Sequence, residues 1–294
     1  MQSSNKFLCD LRNKGIERLV FCGDIHGEFP TFFYNVTDCV GPNALVIVCG
    51  DISFGFAHQK YYLDNFKKYN KKLEKINSYV AFVRGNHDDP EYFNNLEEKC
   101  LQLYQGYPHI VIMRDFQTIL TEVGNVLCYG GGRSIDKIYR VRGISWWEGE
   151  MPLEMTEEFK EFINETIYEV DYVASHSSPI FCEPHSKNGI KDWAMYDKKV
   201  LSDCDLERKR NSELYDYLIA EANKKIKCWI YGHFHTRYDS IINVKNDVMT
   251  KFVGLDRCRP DRSFEYGNRN GSKTACDFYE IREVNYEEVF KHKS

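Results

Sequence analysis

The sequence predicts an α/β protein, and three observations carry that reading. Short apolar, β-branched runs recur along the chain, among them RLVFC (18–22), ALVIVC (44–49), YVAFV (79–83), VLCY (126–129), DYVAS (171–175) and CWIY (228–231). Helix-length stretches separate many of them. Five of the runs stop directly before a clustered Asp, Asn or His. Near-continuous apolar runs are the mark of strands buried on both faces beneath helices, and in such sheets ligands bind outside the carboxyl ends of the strands. Polar groups repeated at strand ends therefore converge on one site.

Taken in order, strands are expected over 17–22, 44–49, 79–83, 126–129, 171–175 and 228–231. Helices are expected over 59–77, 90–100, 156–169 and 212–223. The third is marked by Thr156 as N-cap with Glu157 and Glu158 in its first turn, where acids complement the helix dipole. Beyond residue 235, SIINV and TKFVGL read as edge strands and CDFYEI as a last strand. The polar, charged, Tyr-rich stretch 256–294 suggests no role.

A chain of 294 residues with 43% hydrophobic residues is long enough for one sizeable core. No Pro- or Ser-rich linker and no repeat divides it, so a single domain over 1–294 is expected, with a substrate-loop insertion at 130–155. The net charge of -5 provides no global cationic field for nucleic acid. The lysines between 67 and 75 read as one solvated helix face. The 11 cysteines form no CxxC pair, and several sit inside apolar runs, as reduced buried thiols do. With no secretory signal among the first residues and no run long enough to cross a bilayer, a cytoplasmic protein without a membrane partner is expected.

The chemistry lies in GDIHG (23–27), GD (50–51), GNHD (85–88), His176 and GHFH (232–235). Any one of the first three alone reads as a tight turn, because Gly, Asn and Asp favour turn conformations. Two imidazoles in one short loop are a stronger signal, being common metal ligands and costly core residues. Five such signals at strand ends are hard to assign to turns. Of the 9 histidines, His26, His87, His176, His233 and His235 fall inside these segments.

In that order, DxH, GD, GNH, a lone His and GHxH resemble the motifs of the calcineurin-like metallophosphoesterases, over a stretch from Asp24 to His235. The resemblance implies a two-sheet β-sandwich flanked by helices, four layers in αββα order, with the metal site at the carboxyl ends of the strands. It implies one metal held by Asp24, His26, Asp51 and His235, and another by Asp51, Asn86, His176 and His233, with Asp51 bridging. Mixed oxygen and imidazole ligands suit two divalent ions such as Mn, Fe or Zn better than Ca or Mg. Two carboxylates against four positive charges leave the centre near plus two, which draws a phosphate. Metals about 3.5 to 4 Å apart lower the pKa of a bridging water, so that hydroxide attacks phosphorus in line with the leaving group. By the same resemblance His87, beside the ligand Asn86, gives a proton to the departing oxygen; otherwise it orients Asn86 or a water.

One branch of that family, the protein serine/threonine phosphatases, carries GDxVDRG where this chain has GDISFG at 50–55. Phe54 stands in place of the Asp that orients the acid histidine, and Gly55 in place of the phosphate-clamping Arg. Those phosphatases also lack GHxH, which argues against a phosphoprotein substrate. A substitute clamp is expected in the segment 130–152, GGGRSIDKIYRVRGISWWEGEMP, which resembles bacterial and phage-type phosphoesterases. Arg133, Arg140 and Arg142 could bind phosphate there, or pair with Asp136, Glu148 and Glu150. Trp146 and Trp147 could stack on a ring, or cover apolar surface. The expected partner is a phosphate-ester small molecule or a nucleotide. A hydrolase, acting on monoesters or as a phosphodiesterase or nuclease, is weighed against a non-catalytic scaffold; scaffolds tend to lose ligands, and every ligand is present here.

Overall fold

A computed structural model describes residues 6–94, 106–166, 168–245, 248–259 and 276–281. Two mixed sheets face each other. The five-stranded sheet is built from β2 (Arg18–Cys22), β3 (Ala44–Val48), β4 (Tyr79–Phe82) and β5 (Ile110–Ile112) in parallel, with β12 (Phe278–Glu280) antiparallel on the outer side of β2. The seven-stranded sheet runs β1 (Leu8–Asp10), β6 (Thr118–Leu120), β7 (Val126–Tyr129), β8 (Tyr172–Ser175), β9 (Cys228–Tyr231), β11 (Val248–Gly254) and β10 (Tyr238–Lys245). Its central strands β7, β8, β9 and β11 are parallel.

Alternation along each strand explains the layers. In β3 every residue is buried, but Leu45 and Ile47 point into the space between the sheets while Ala44, Val46 and Val48 point out beneath helices. The inter-sheet layer adds Phe21, Ala81, Val126, Cys128, Ala174, Cys228 and Ile230. On the outer face of the five-stranded sheet lie α1 (Phe29–Asn35), α2 (Gln59–Lys75) and α3 (Glu91–Asn94) over an aromatic core of Phe29, Phe32, Phe33, Phe54, Phe66 and Phe82. On the outer face of the other lie α4 (Glu157–Glu165) and α6 (Val200–Asp216), over Phe159, Ile163, Leu214, Tyr215 and Trp229. Between those two helices runs α5 (Ile190–Ala194). The arrangement is the αββα sandwich.

Thr156 caps α4 as expected, its hydroxyl accepting from Phe159 N at 3.2 Å, although the helix ends at Glu165 rather than 169. Other boundaries differ more. The helix expected over 212–223 begins at Val200 and passes after Asp216 into a π turn, Tyr217–Glu221. Of the helix expected over 90–100, residues 91–94 are helical and 95–100 lie outside the described residues. TKFVGL is not an edge: β11 lies between β9 and β10. The cysteine expectation also needs correction. Eight described cysteines are free, but Cys258 and Cys276 form a disulfide, their Cα atoms 4.0 Å apart. The pair forms because the chain leaving β11 crosses beside Asp24, where Cys258 N donates to the Asp24 carbonyl at 2.6 Å, and re-enters at β12 alongside β2.

Candidate metal centre

The parallel strands β2, β3, β4, β8 and β9 all end at one edge of the sandwich, and the five motifs follow those ends. There the backbone must turn sharply. His26, Asp51, His233 and His235 have φ of 43°, 53°, 69° and 54°, a left-handed conformation that non-glycine residues rarely adopt and that functional sites retain at a cost. The turns lock against each other: His26 N donates to Asp51 O at 2.8 Å, His87 N to Asp51 Oδ1 at 2.8 Å, and His233 N to Asp24 Oδ1 at 2.9 Å. Gly85 and Gly232 permit this approach, since a Cβ on either would overlap Asp51 or Asp24.

All seven candidate ligands come together, in two groups joined by Asp51. Asp24, His26, Asp51 and His235 each offer one atom within 4.8 Å of the others. Here His235 Nε2 stands 2.9 Å from both Asp24 Oδ2 and His26 Nε2, and Asp51 Oδ2 is 3.8 Å from His26 Nε2. On the other side, His176 Nε2 is 2.9 Å from Asn86 Oδ1, 3.0 Å from His233 Nδ1 and 3.2 Å from Asp51 Oδ1. Each oxygen of Asp51 thus faces a different group. Two buried carboxylates, four inward imidazole nitrogens and one amide oxygen form a nitrogen and oxygen donor set that fits two borderline divalent cations.

Electrostatics agree with that fit. Burial pushes the Asp24 carboxyl up, but the His235 hydrogen bond and the nearby His176 outweigh it and hold the group at about 2. Burial likewise opposes ionisation of Asp51, and His176 and His87 overcome it, keeping that carboxyl well below the usual range. Against the pull of burial, Asp51 raises His176 to about 9.

His87 lies at the rim, its Nε2 4.0 Å from Asp51 Oδ2 and its ring 5.4 Å from that of His26. Burial pushes it down to about 4, with Arg140 adding to the effect and Asp51 opposing it.

The three arginines have different surroundings. Arg133 is buried, and its guanidinium meets Asp203 at 2.9 Å, Asp197 at 2.6 Å and Glu150 at 3.2 Å. Arg142 pairs with Glu148 in solvent. Arg140 pairs with Asp136 and brings Nη2 to 3.5 Å from His87 Nε2. Trp147 is buried against Phe56 and Gly55, and Trp146 lies under Lys137 Nζ at 4.0 Å. Phe54, in place of the phosphatase-type Asp, stacks on Tyr92 at 5.2 Å within the aromatic core. A cleft of about 390 Å³ opens next to Arg140, with Lys137, Arg142, Trp146 and Lys199 on its walls.

Three residues at the site have contacts to which the sequence assigns no role. Ser134 Oγ is 2.9 Å from Asn86 Nδ2, which turns the amide oxygen toward His176. Asp88 accepts the backbone N–H groups of Ile52, Phe54 and Gly85. Glu207 is buried behind His233. Asp88 adjoins the GNH motif and could have been noticed there; Ser134 and Glu207 had no such signal.

No curated protein sequence matches the chain. Similar solved structures include a Thermus thermophilus protein (13% identity over 82% of this chain and 90% of that one, TM-score 0.44). A protein serine/threonine phosphatase from Saccharomyces cerevisiae aligns at 13% identity over 95% and 84% of the two chains, TM-score 0.32. A cold-active protein-tyrosine phosphatase from a Shewanella species aligns at 12% over 95% and 79%, TM-score 0.33. Similarity at this level says nothing about activity. The description calcineurin-like phosphoesterase, in contrast, matches residues 17–237, from the start of β2 to just past His235. The chain belongs to the calcineurin-like phosphoesterase family.

Proposed function

We propose that the protein is a dimetal-dependent hydrolase of small phosphate esters. One observation carries this reading: Asp51 turns one oxygen to the Asp24, His26 and His235 group and the other to the Asn86, His176 and His233 group. Divalent ions held there would supply Lewis-acid activation of water and of the phosphoryl oxygens. The chain's own residues do the rest. His87 and Arg140 stand 3.5 Å apart at the rim of the centre, where a bound phosphate would meet both. Arg140 donates to a terminal oxygen, and the phosphate's negative charge raises His87 so that Nε2 delivers a proton to the leaving oxygen. Arg133, committed to three carboxylates, fixes the Gly-rich loop instead of touching substrate. The adjacent cleft has the volume of a small-molecule site, and its walls carry five basic residues against Asp197 and Asp203, an excess of positive charge that suits an anionic ester.

The test is to assay the Mn-, Fe- and Zn-loaded protein on p-nitrophenyl phosphate and bis-p-nitrophenyl phosphate. Turnover of at least one is expected, and His87→Ala should lower kcat by about 10²- to 10⁴-fold with metal content unchanged. Two bound metals with no turnover of either ester would overturn the hydrolase reading.

A further inference from the structure

Each ligand imidazole in the buried group has a second nitrogen that must be accounted for. For His176 the partner is backbone: Nδ1 is 2.7 Å from the Cys49 carbonyl, which fixes a proton on Nδ1 and turns Nε2 toward the centre. His233 is mounted the other way round. Its Nδ1 faces the centre, 3.0 Å from His176 Nε2, and its Nε2 points back into the protein, fully buried, with Glu207 Oε1 at 3.3 Å and off the line of a straight hydrogen bond.

Glu207 is an unusual residue to find there. It lies on the inner face of α6, 1% exposed, in a helix whose other buried residues include the polar Arg208 and Asn211. A buried carboxylate is costly unless it is bonded, and this one is bonded on both oxygens. Oε2 accepts from Arg133 N at 2.5 Å, and Oε1 accepts from the hydroxyl of Ser177, next to the ligand His176. The same carboxylate therefore touches the Gly-rich loop, the residue after one ligand and the ring of another.

We propose that Glu207 is a positioning residue for His233, holding its ring in the Nε2–H tautomer so that Nδ1 presents a lone pair beside His176 and Asn86. The inference rests on the metal-dependent reading above, and it concerns which nitrogen is available rather than the hydrolysis itself. Carboxylates behind ligand histidines generally fix tautomer and ring orientation, and their loss costs about 10- to 100-fold in metal affinity. The bent 3.3 Å approach is of the kind that tightens once the opposite nitrogen is engaged.

Two measurements test it, neither requiring turnover. Long-range ¹H–¹⁵N correlation spectra of the metal-free wild-type protein, with His233 assigned through His233→Gln, should show the Nε2–H tautomer; an Nδ1–H tautomer overturns the proposal. In Glu207→Gln, which keeps the shape and one oxygen to accept from Arg133 N while its NH2 group faces Ser177 and His233, Mn titration by calorimetry should show one site weakened about 10- to 100-fold and the other unchanged. A folded variant binding both ions as tightly as wild type overturns it. If that variant does not fold by circular dichroism, the wild-type tautomer decides. A protein that binds two ions, shows the expected tautomer and hydrolyses neither ester would refute the hydrolase reading and leave this one standing.

Discussion

The two halves of the centre are built to different standards. The side chains of His176 and His233 are completely buried, whereas those of His26 and His235 are 24% and 37% exposed. In the buried half His176 is pinned through its second nitrogen by the Cys49 carbonyl, and His233 turns its second nitrogen to Glu207 at 3.3 Å. In the open half no hydrogen bond to Nδ1 of His26 or His235 is found among the described residues. Rigid ligands in a dry pocket hold an ion tightly, and a site with solvent at its ligands can exchange water for a phosphoryl oxygen. Under the dimetal reading proposed above, that asymmetry would let the buried position anchor an ion and the open one receive substrate.

Asp51 is the one ligand common to both halves, so Asp51→Ala should have the largest effect, reducing metal content from two per chain to none and abolishing turnover; retention of either ion in elemental analysis would mean the halves are independent. A sharper comparison sets His176→Ala against His235→Ala in the metal-free protein. Removing His176 strips partners from the buried Cys49 carbonyl and Asp51 carboxylate, and should cost about 1 to 3 kcal/mol in denaturant unfolding. Removing His235 takes one hydrogen bond from the buried Asp24 carboxylate, whose Oδ1 keeps the His233 N–H, and should cost about 1 kcal/mol or less. Equal losses would erase the distinction. At the rim, Arg140→Ala should raise KM about tenfold, in line with loss of a charged hydrogen bond worth about 1.5 kcal/mol or more, while Arg142→Ala, on the cleft wall but paired with Glu148 in solvent, should raise it by about fivefold or less. A larger change from Arg142 would move the phosphate contact out of His87's reach.

What the sequence revealed follows from where free energy is written into residue type. Strands buried on both faces, such as ALVIV, need uninterrupted apolar residues and so announce themselves, and the ligands directly after them inherit that clarity. Strands β1, β5 and β6 have three residues each and little pattern to read. Helix α1 gives little signal because it has only seven residues, FPTFFYN, with Phe29, Phe32 and Phe33 buried but the aromatic Tyr34 on its exposed side. The first half of α6 was missed for the opposite reason. Its inward positions Glu207, Arg208 and Asn211 are polar, the first two bonded to partners distant in sequence and Asn211 to the Glu207 carbonyl one turn back, so no apolar period exists to be seen. Glu207 was invisible on the same account. The arginines of 130–152 illustrate a related limit: Glu148 and Glu150 lie close by in sequence, but Asp197 and Asp203, which occupy Arg133, are brought in by the fold.

The ligands are drawn from both sheets: Asp24, His26, Asp51 and Asn86 follow strands of one, His176, His233 and His235 strands of the other. Cations shared across that seam would act as rivets. Sliding one layer past its neighbour by a single residue, roughly 3.3 Å, would tear Asp51 from His176, so ion occupancy and resistance to shear become one property, and a chelator would loosen the joint before it unravelled either layer.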